Sequence, residues 1–157
     1  MLKSLSWIAV VLWMILIFYF SQQPVHISND LSTTITEQLI ETVQMVAPVK
    51  EVHVSTVNHF VRKNAHFFIY FCLGIFAFFA LRISGVKRFH SIWVALVFCI
   101  IYAVSDEFHQ LFVPGRGAQL KDVLIDCAGA TLGIGTAIII SSIRGRKKVL
   151  SKKGVSK

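Results

Sequence analysis

Four apolar runs, at about residues 4–21, 63–83, 91–112 and 121–143, constrain this chain more than any other feature. A helix that crosses a bilayer needs roughly 20 predominantly apolar residues. Each run meets that length. Charged residues make up only 15% of the chain, against roughly 25% in soluble domains. The sequence therefore predicts an all-α membrane protein with four transmembrane helices. They form one domain over residues 1–143, with an outer loop at 22–61 and a basic cytoplasmic tail at 144–157. The first run has the length of a signal peptide, but no small-x-small cleavage site follows it. Gln22, Gln23 and Pro24 stand where one is expected, so the run reads as a retained helix.

The net charge of +8 invites a nucleic-acid partner, but its distribution argues otherwise. Seven of the sixteen basic residues lie in the tail after the fourth run, where they act as a topology signal and touch anionic lipid. With both termini in the cytoplasm, eleven basic residues fall on that side and five on the outer side. This satisfies the positive-inside rule and predicts a multi-pass topology with the lipid bilayer, not nucleic acid, as partner. All eight acidic residues then fall in the outer loop or at the outer ends of the spans. The three cysteines, Cys72, Cys99 and Cys127, sit inside apolar runs without C-x-x-C spacing, so neither a disulfide framework nor a zinc motif is expected.

Within the outer loop, Leu31, Ile35, Leu39, Val43 and Val46 recur at helical spacing, with Ser28 or Asn29 to cap and Pro48 to stop. This predicts one amphipathic extracytoplasmic helix packed on its transmembrane neighbours. A long helix is expected from Ser55 to Arg82, and a turn at Pro114-Gly115. The fourth run carries Asp122, Asp126, Gly129 and Gly133 on one stripe, which combines carboxylates with the small residues that let membrane helices approach closely.

Topology brings separate polar clusters to one level. The start of the second span supplies Arg62, Lys63, His66 and Tyr70. The end of the third supplies Asp106, Glu107, His109 and Gln110, the turn Arg116, and the start of the fourth Asp122 and Asp126. Ionisable groups in a membrane segment are costly and mark function when they face the interior or water. At about 100° per residue, Asp106, His109 and Gln110 share a face, while Glu107 points elsewhere, toward Arg62 or Arg116. A structural network of mutually neutralising charges is the competing explanation.

Phe20-Ser21-Gln22-Gln23-Pro24, Arg62-Lys63 with His66 and Tyr70, Asp106-Glu107 with His109-Gln110 and Pro114-Gly115-Arg116, and Asp122 with Asp126 and Gly129 together resemble the VanZ-like membrane proteins. The resemblance covers about residues 7–143. It implies a bacterial plasma-membrane protein at the cell-envelope face, similar to the teicoplanin-resistance protein found beside glycopeptide-resistance genes. No biochemical activity comes with it.

Three functions follow from the residues. The first is recognition of an anionic envelope molecule (a lipid-linked precursor, a lipid phosphate or a glycopeptide) by Arg62, Lys63, His66, Tyr70, Asp106, Glu107, His109, Gln110, Arg116, Asp122 and Asp126. Arginine suits bidentate phosphate or carboxylate binding. The second is a metal-assisted hydrolase or transferase, with Asp106, Glu107, His109 and Asp126 as catalytic candidates. Glu107, His109, Asp122 and Asp126 offer donors for a divalent metal cofactor, but no spacing such as H-E-x-x-H identifies a metal motif. The third is a proton-coupled transporter, disfavoured because the polar residues sit at one end only.

Overall fold

A computed structural model describes residues 1–23 and 54–154, and their side chains except at 54–60, 62 and 145–154. The described residues form four helices and no strand: α1 (Leu2–Ser21), α2 (Val54–Ile83), α3 (Arg88–Gln110) and α4 (Leu120–Gly154). Each contains a stretch long and apolar enough to cross a membrane: Leu2–Ser21, Lys63–Ile83, Arg88–Gln110 and Leu120–Arg144. The expected amphipathic helix of the 22–61 loop lies outside the described residues.

The chain runs up and down, so α2 and α4 are parallel. The helix α2 packs against all three others, and most extensively against α4. A Cβ on Gly129 would fall on the Phe67 carbonyl oxygen, one on Gly133 on that of Phe71, and one on Gly74 on that of Ala130. The small-residue stripe of α4 thus brings the two backbones into contact. The apolar core gathers Tyr70, Leu73 and Phe78 of α2, Val10 and Ile17 of α1, and Ala130 and Ile134 of α4. Along α3 the buried side is a ladder of small residues, Ser91, Ala95, Cys99 and Ala103, that ends in Asp106, Glu107 and Gln110. The indole of Trp13 donates to the Ile69 carbonyl at 2.8 Å and the Tyr102 hydroxyl to that of Met14 at 2.7 Å, pinning α1 to its neighbours. The remaining faces expose residues such as Leu5, Ile8, Leu12, Trp93, Ile101 and Leu132, as a lipid-facing surface requires.

The turn between α2 and α3 is a Schellman closure. Gly85 takes φ 94°, its N–H reaches the Arg82 carbonyl at 3.1 Å and the Val86 N–H reaches that of Leu81 at 3.1 Å. Helix α3 starts at Arg88, three residues before the apolar run. The Arg88 guanidinium donates to Ser142 Oγ at 2.8 Å and so draws its own backbone into the bundle. Helix α4 continues through residues 144–154, so the basic segment begins as a helix rather than as an extended tail. Lys and Arg are good helix formers, and their charge complements the C-terminal end of the helix dipole.

Candidate functional site

The polar residues collect at the end of the bundle formed by the start of the α2 span, the end of α3, the 111–119 turn and the start of α4. Gly115, at φ 78°, reverses the chain, and the Arg116 N–H closes the turn on the Val113 carbonyl at 3.0 Å. Helix register then sets the pairs between α2 and α4. Lys63 Nζ lies 3.3 Å from Asp122 Oδ1, and His66 Nδ1 lies 3.7 Å from Asp126 Oδ1. One turn further along, the Gly129–Phe67 contact fixes the spacing at which these pairs meet.

Asp106, Glu107, Gln110 and Asp126 are buried, with Asp126 0% exposed. Glu107 Oε2 accepts the backbone N–H of Gln119 at 2.8 Å. The carboxylate thereby ties the turn to α3. Arg62 has no described side chain. Gln110 Nε2 donates to Ser21 Oγ, the last residue of α1, at 2.8 Å. His109 stacks on Phe18 of α1, with ring centroids 4.6 Å apart. The buried side of α3 therefore joins Glu107, not His109, to Asp106 and Gln110. The cause is helix rotation: Gln110 projects between Asp106 and Glu107, and His109 falls on the flank toward α1. Tyr70 is fully buried behind the cluster, its ring 6.2 Å from that of Tyr102.

His66, Asp106 and Asp126, from three different helices, bring one donor atom each within 4.8 Å of one another. Both oxygens of Asp106, both of Asp126 and the Tyr70 hydroxyl are buried without a hydrogen bond among the described residues. Buried polar atoms are normally satisfied, and leaving them bare is costly. Beside this group is a cavity of about 10 Å³, close to the space of one water, lined by Lys63, His66, Gln110, Arg116, Asp122 and Ile125. Lys63, Arg116 and the Asp122 carboxylate that pairs with Lys63 put charge of both signs on its wall, while Asp106 and Asp126 lie outside its lining. An apolar furrow runs between α1 and α3, bounded by Val11, Met14, Ile15, Phe18 and Tyr102.

Sequence reasoning named Ser21 only within the Phe20–Pro24 motif, without a place in the site, and did not single out the Gln119 backbone. Ser21 also offered a hydroxyl at the end of α1, on the same level as the other polar residues. Nothing in the residue type of Gln119 marks its N–H. No curated protein sequence and no solved structure matches the chain. The VanZ/LLP1 family model matches residues 6–141, taking in all four spans and every described residue of the site, and the chain belongs to that family.

Proposed function

We propose that this protein sits in the bacterial plasma membrane with both termini cytoplasmic, and that its polar pocket binds the anionic headgroup of a cell-envelope molecule at the outer leaflet. The observation that carries this is the cavity wall, where Lys63 and Arg116 stand with His66 and Gln110, and where Asp122 pairs with Lys63 at 3.3 Å. An arginine, and a lysine that an anion must share with Asp122, meet at one small opening and suit a phosphate or carboxylate. A cavity of about 10 Å³ admits no whole headgroup, so the anion rests at the opening. Among a lipid-linked precursor, a lipid phosphate and a glycopeptide, the apolar furrow between α1 and α3 favours a ligand with a hydrocarbon chain. Withholding such a lipid from an antibiotic, or altering its supply, is the route by which the protein would contribute to teicoplanin resistance.

The test is binding of polyprenyl phosphate to the full chain in phosphatidylcholine nanodiscs, followed by native mass spectrometry. Retention in preference to a neutral polyprenol is expected, with loss in Lys63→Ala and Arg116→Ala. Equal retention of phosphate and alcohol would refute the proposal. A second activity, metal-assisted hydrolysis of the same lipid, is favoured by the three convergent donors of His66, Asp106 and Asp126. Release of phosphate on incubation distinguishes turnover from recognition.

A further inference from the structure

We propose that His66, Asp106 and Asp126 form a divalent-cation site between α2, α3 and α4, for an ion of the zinc or manganese class. The inference stands apart from the headgroup reading, since an ion can occupy these donors whether or not a lipid binds at the opening.

Geometry is the first support. The three donor atoms lie within 4.8 Å of one another, and the His66–Asp126 pair is already at 3.7 Å. Metal–donor bonds of about 2.0–2.2 Å put tetrahedral donors roughly 3.4 Å apart, so a modest inward rotation of Asp106 completes the set. The second support is how little else engages the two carboxylates. Neighbouring groups are committed elsewhere: Lys63 to Asp122, Glu107 Oε2 to the Gln119 N–H, and Gln110 to Ser21. Asp106 and Asp126 are 3% and 0% exposed; the Ser21 hydroxyl lies beside Asp106 and the His66 ring beside Asp126, yet none of the four oxygens accepts a hydrogen bond of good geometry among the described residues. The Tyr70 hydroxyl, also buried and without a hydrogen bond, lies in the field of the same two carboxylates. Such a group is available to a water held on the ion.

Charge is the third support. Two carboxylates and a neutral imidazole sum to minus two, which one dication cancels. Arg116 acts on Asp106 through space from the cavity wall but donates no hydrogen bond to it. Donor chemistry then selects the ion. One imidazole with two carboxylates suits zinc or manganese, whereas calcium takes 6–8 oxygens. Three protein ligands leave positions open, and the cavity beside His66 can deliver water or an anion to them.

The experiment uses the full-length, untagged protein purified in detergent without chelator. Elemental analysis is expected to find about one zinc or manganese per chain. After stripping with chelator, cobalt titration should restore visible d–d absorption, and manganese should show a histidine nitrogen coupling by pulsed electron paramagnetic resonance. His66→Gln, Asp106→Asn and Asp126→Asn should each weaken binding by more than the roughly 10–100-fold typical of losing an outer-shell partner. His90→Gln, an exposed residue in the first turn of α3 at the other end of the helix, should bind as the wild type does. Absence of metal from the native protein together with no cobalt spectrum overturns the proposal, whether or not the variants fold. So does unchanged affinity in Asp126→Asn, or an equal loss in His90→Gln. Metal binding without polyprenyl phosphate binding would remove only the headgroup proposal. Lipid binding by a protein that takes up no metal would remove only this one.

Discussion

Replacing Gly129 by alanine tests how the site is held. The added Cβ would fall on the Phe67 carbonyl oxygen, an atom fixed in the α2 backbone that no rotamer change can move. Carbon and oxygen need a separation above about 3 Å, so α2 and α4 must part by roughly an ångström. Overpacking of this kind costs about 1–3 kcal/mol, and the gain of up to ~1 kcal/mol in helix propensity from glycine to alanine offsets part of it. With the full offset the net is up to about 2 kcal/mol, and at roughly 2–4 °C per kcal/mol for a chain of this size Tm should fall by as much as about 8 °C. Fluorescence-detected size-exclusion after heating in detergent measures it. Gly135→Ala is the control, because a Cβ there meets nothing within 4 Å and alanine should be neutral or stabilising. Because Phe67 adjoins His66 and Gly129 lies one turn from Asp126, Gly129→Ala should also widen the 3.7 Å His66–Asp126 pair and weaken ligand binding. A Gly129→Ala protein that melts with Gly135→Ala and binds as the wild type does would refute the close backbone contact as the site's support.

Three further substitutions probe separate contacts. Gln110→Leu removes the 2.8 Å donor to Ser21 and leaves a fully buried hydroxyl oxygen without its donor, so a loss of about 1–3 kcal/mol is expected in thermal unfolding. Trp13→Phe deletes the indole bond to the Ile69 carbonyl while keeping an aromatic ring near Phe76, and should cost about 0.5–1.5 kcal/mol by the same assay. Gly117→Cys places a thiol on the exposed turn beside the site, where whole cells should react with a membrane-impermeant maleimide if the site faces outward. Labelling that requires cell lysis would invert the proposed topology.

The spans were legible because hydrocarbon thickness imposes a length that residue types cannot disguise. The common level of Lys63, His66, Asp106, Gln110 and Asp126 was legible too, since alternating spans leave little freedom over which ends meet. Helix rotation was not. Whether Glu107 or His109 turns inward depends on where α3 rests against α2 and α4, which is set by Ala95, Cys99 and Ala103 far along the same helix. A face drawn from spacing alone is centred about 50° away, roughly half a residue's rotation. Helix limits also moved where polar side chains found partners in the bundle. Arg88 reads as loop by polarity, yet it is the first residue of α3, where the Ser91 N–H closes the first turn on the Lys87 carbonyl at 2.9 Å and the Arg88 side chain reaches Ser142. The Glu107–Gln119 contact was beyond reach for a different reason, because its donor is backbone and carries no residue signature.

The layering of charge carries a last prediction. Lys63 and Arg116 stand on the cavity wall with Asp122, Asp106 and Asp126 lie outside its lining, and His66 belongs to both layers, lining the cavity while facing Asp126. An anion at the opening and a dication among the deeper donors would attract one another across the single imidazole between them. Their affinities must then be coupled, and linkage requires the factor to be the same in either direction. A coupling of about 1–3 kcal/mol, or roughly 5–150-fold, is typical of interacting sites. Polyprenyl phosphate should therefore bind more tightly to the manganese-loaded protein than to the stripped one, and manganese more tightly in the presence of the lipid by an equal factor. His66→Gln should abolish the coupling before either residual affinity reaches zero. Two affinities that are each measurable yet independent would show that headgroup and ion occupy unconnected places, and the cavity beside His66 would lose its role as the passage between them.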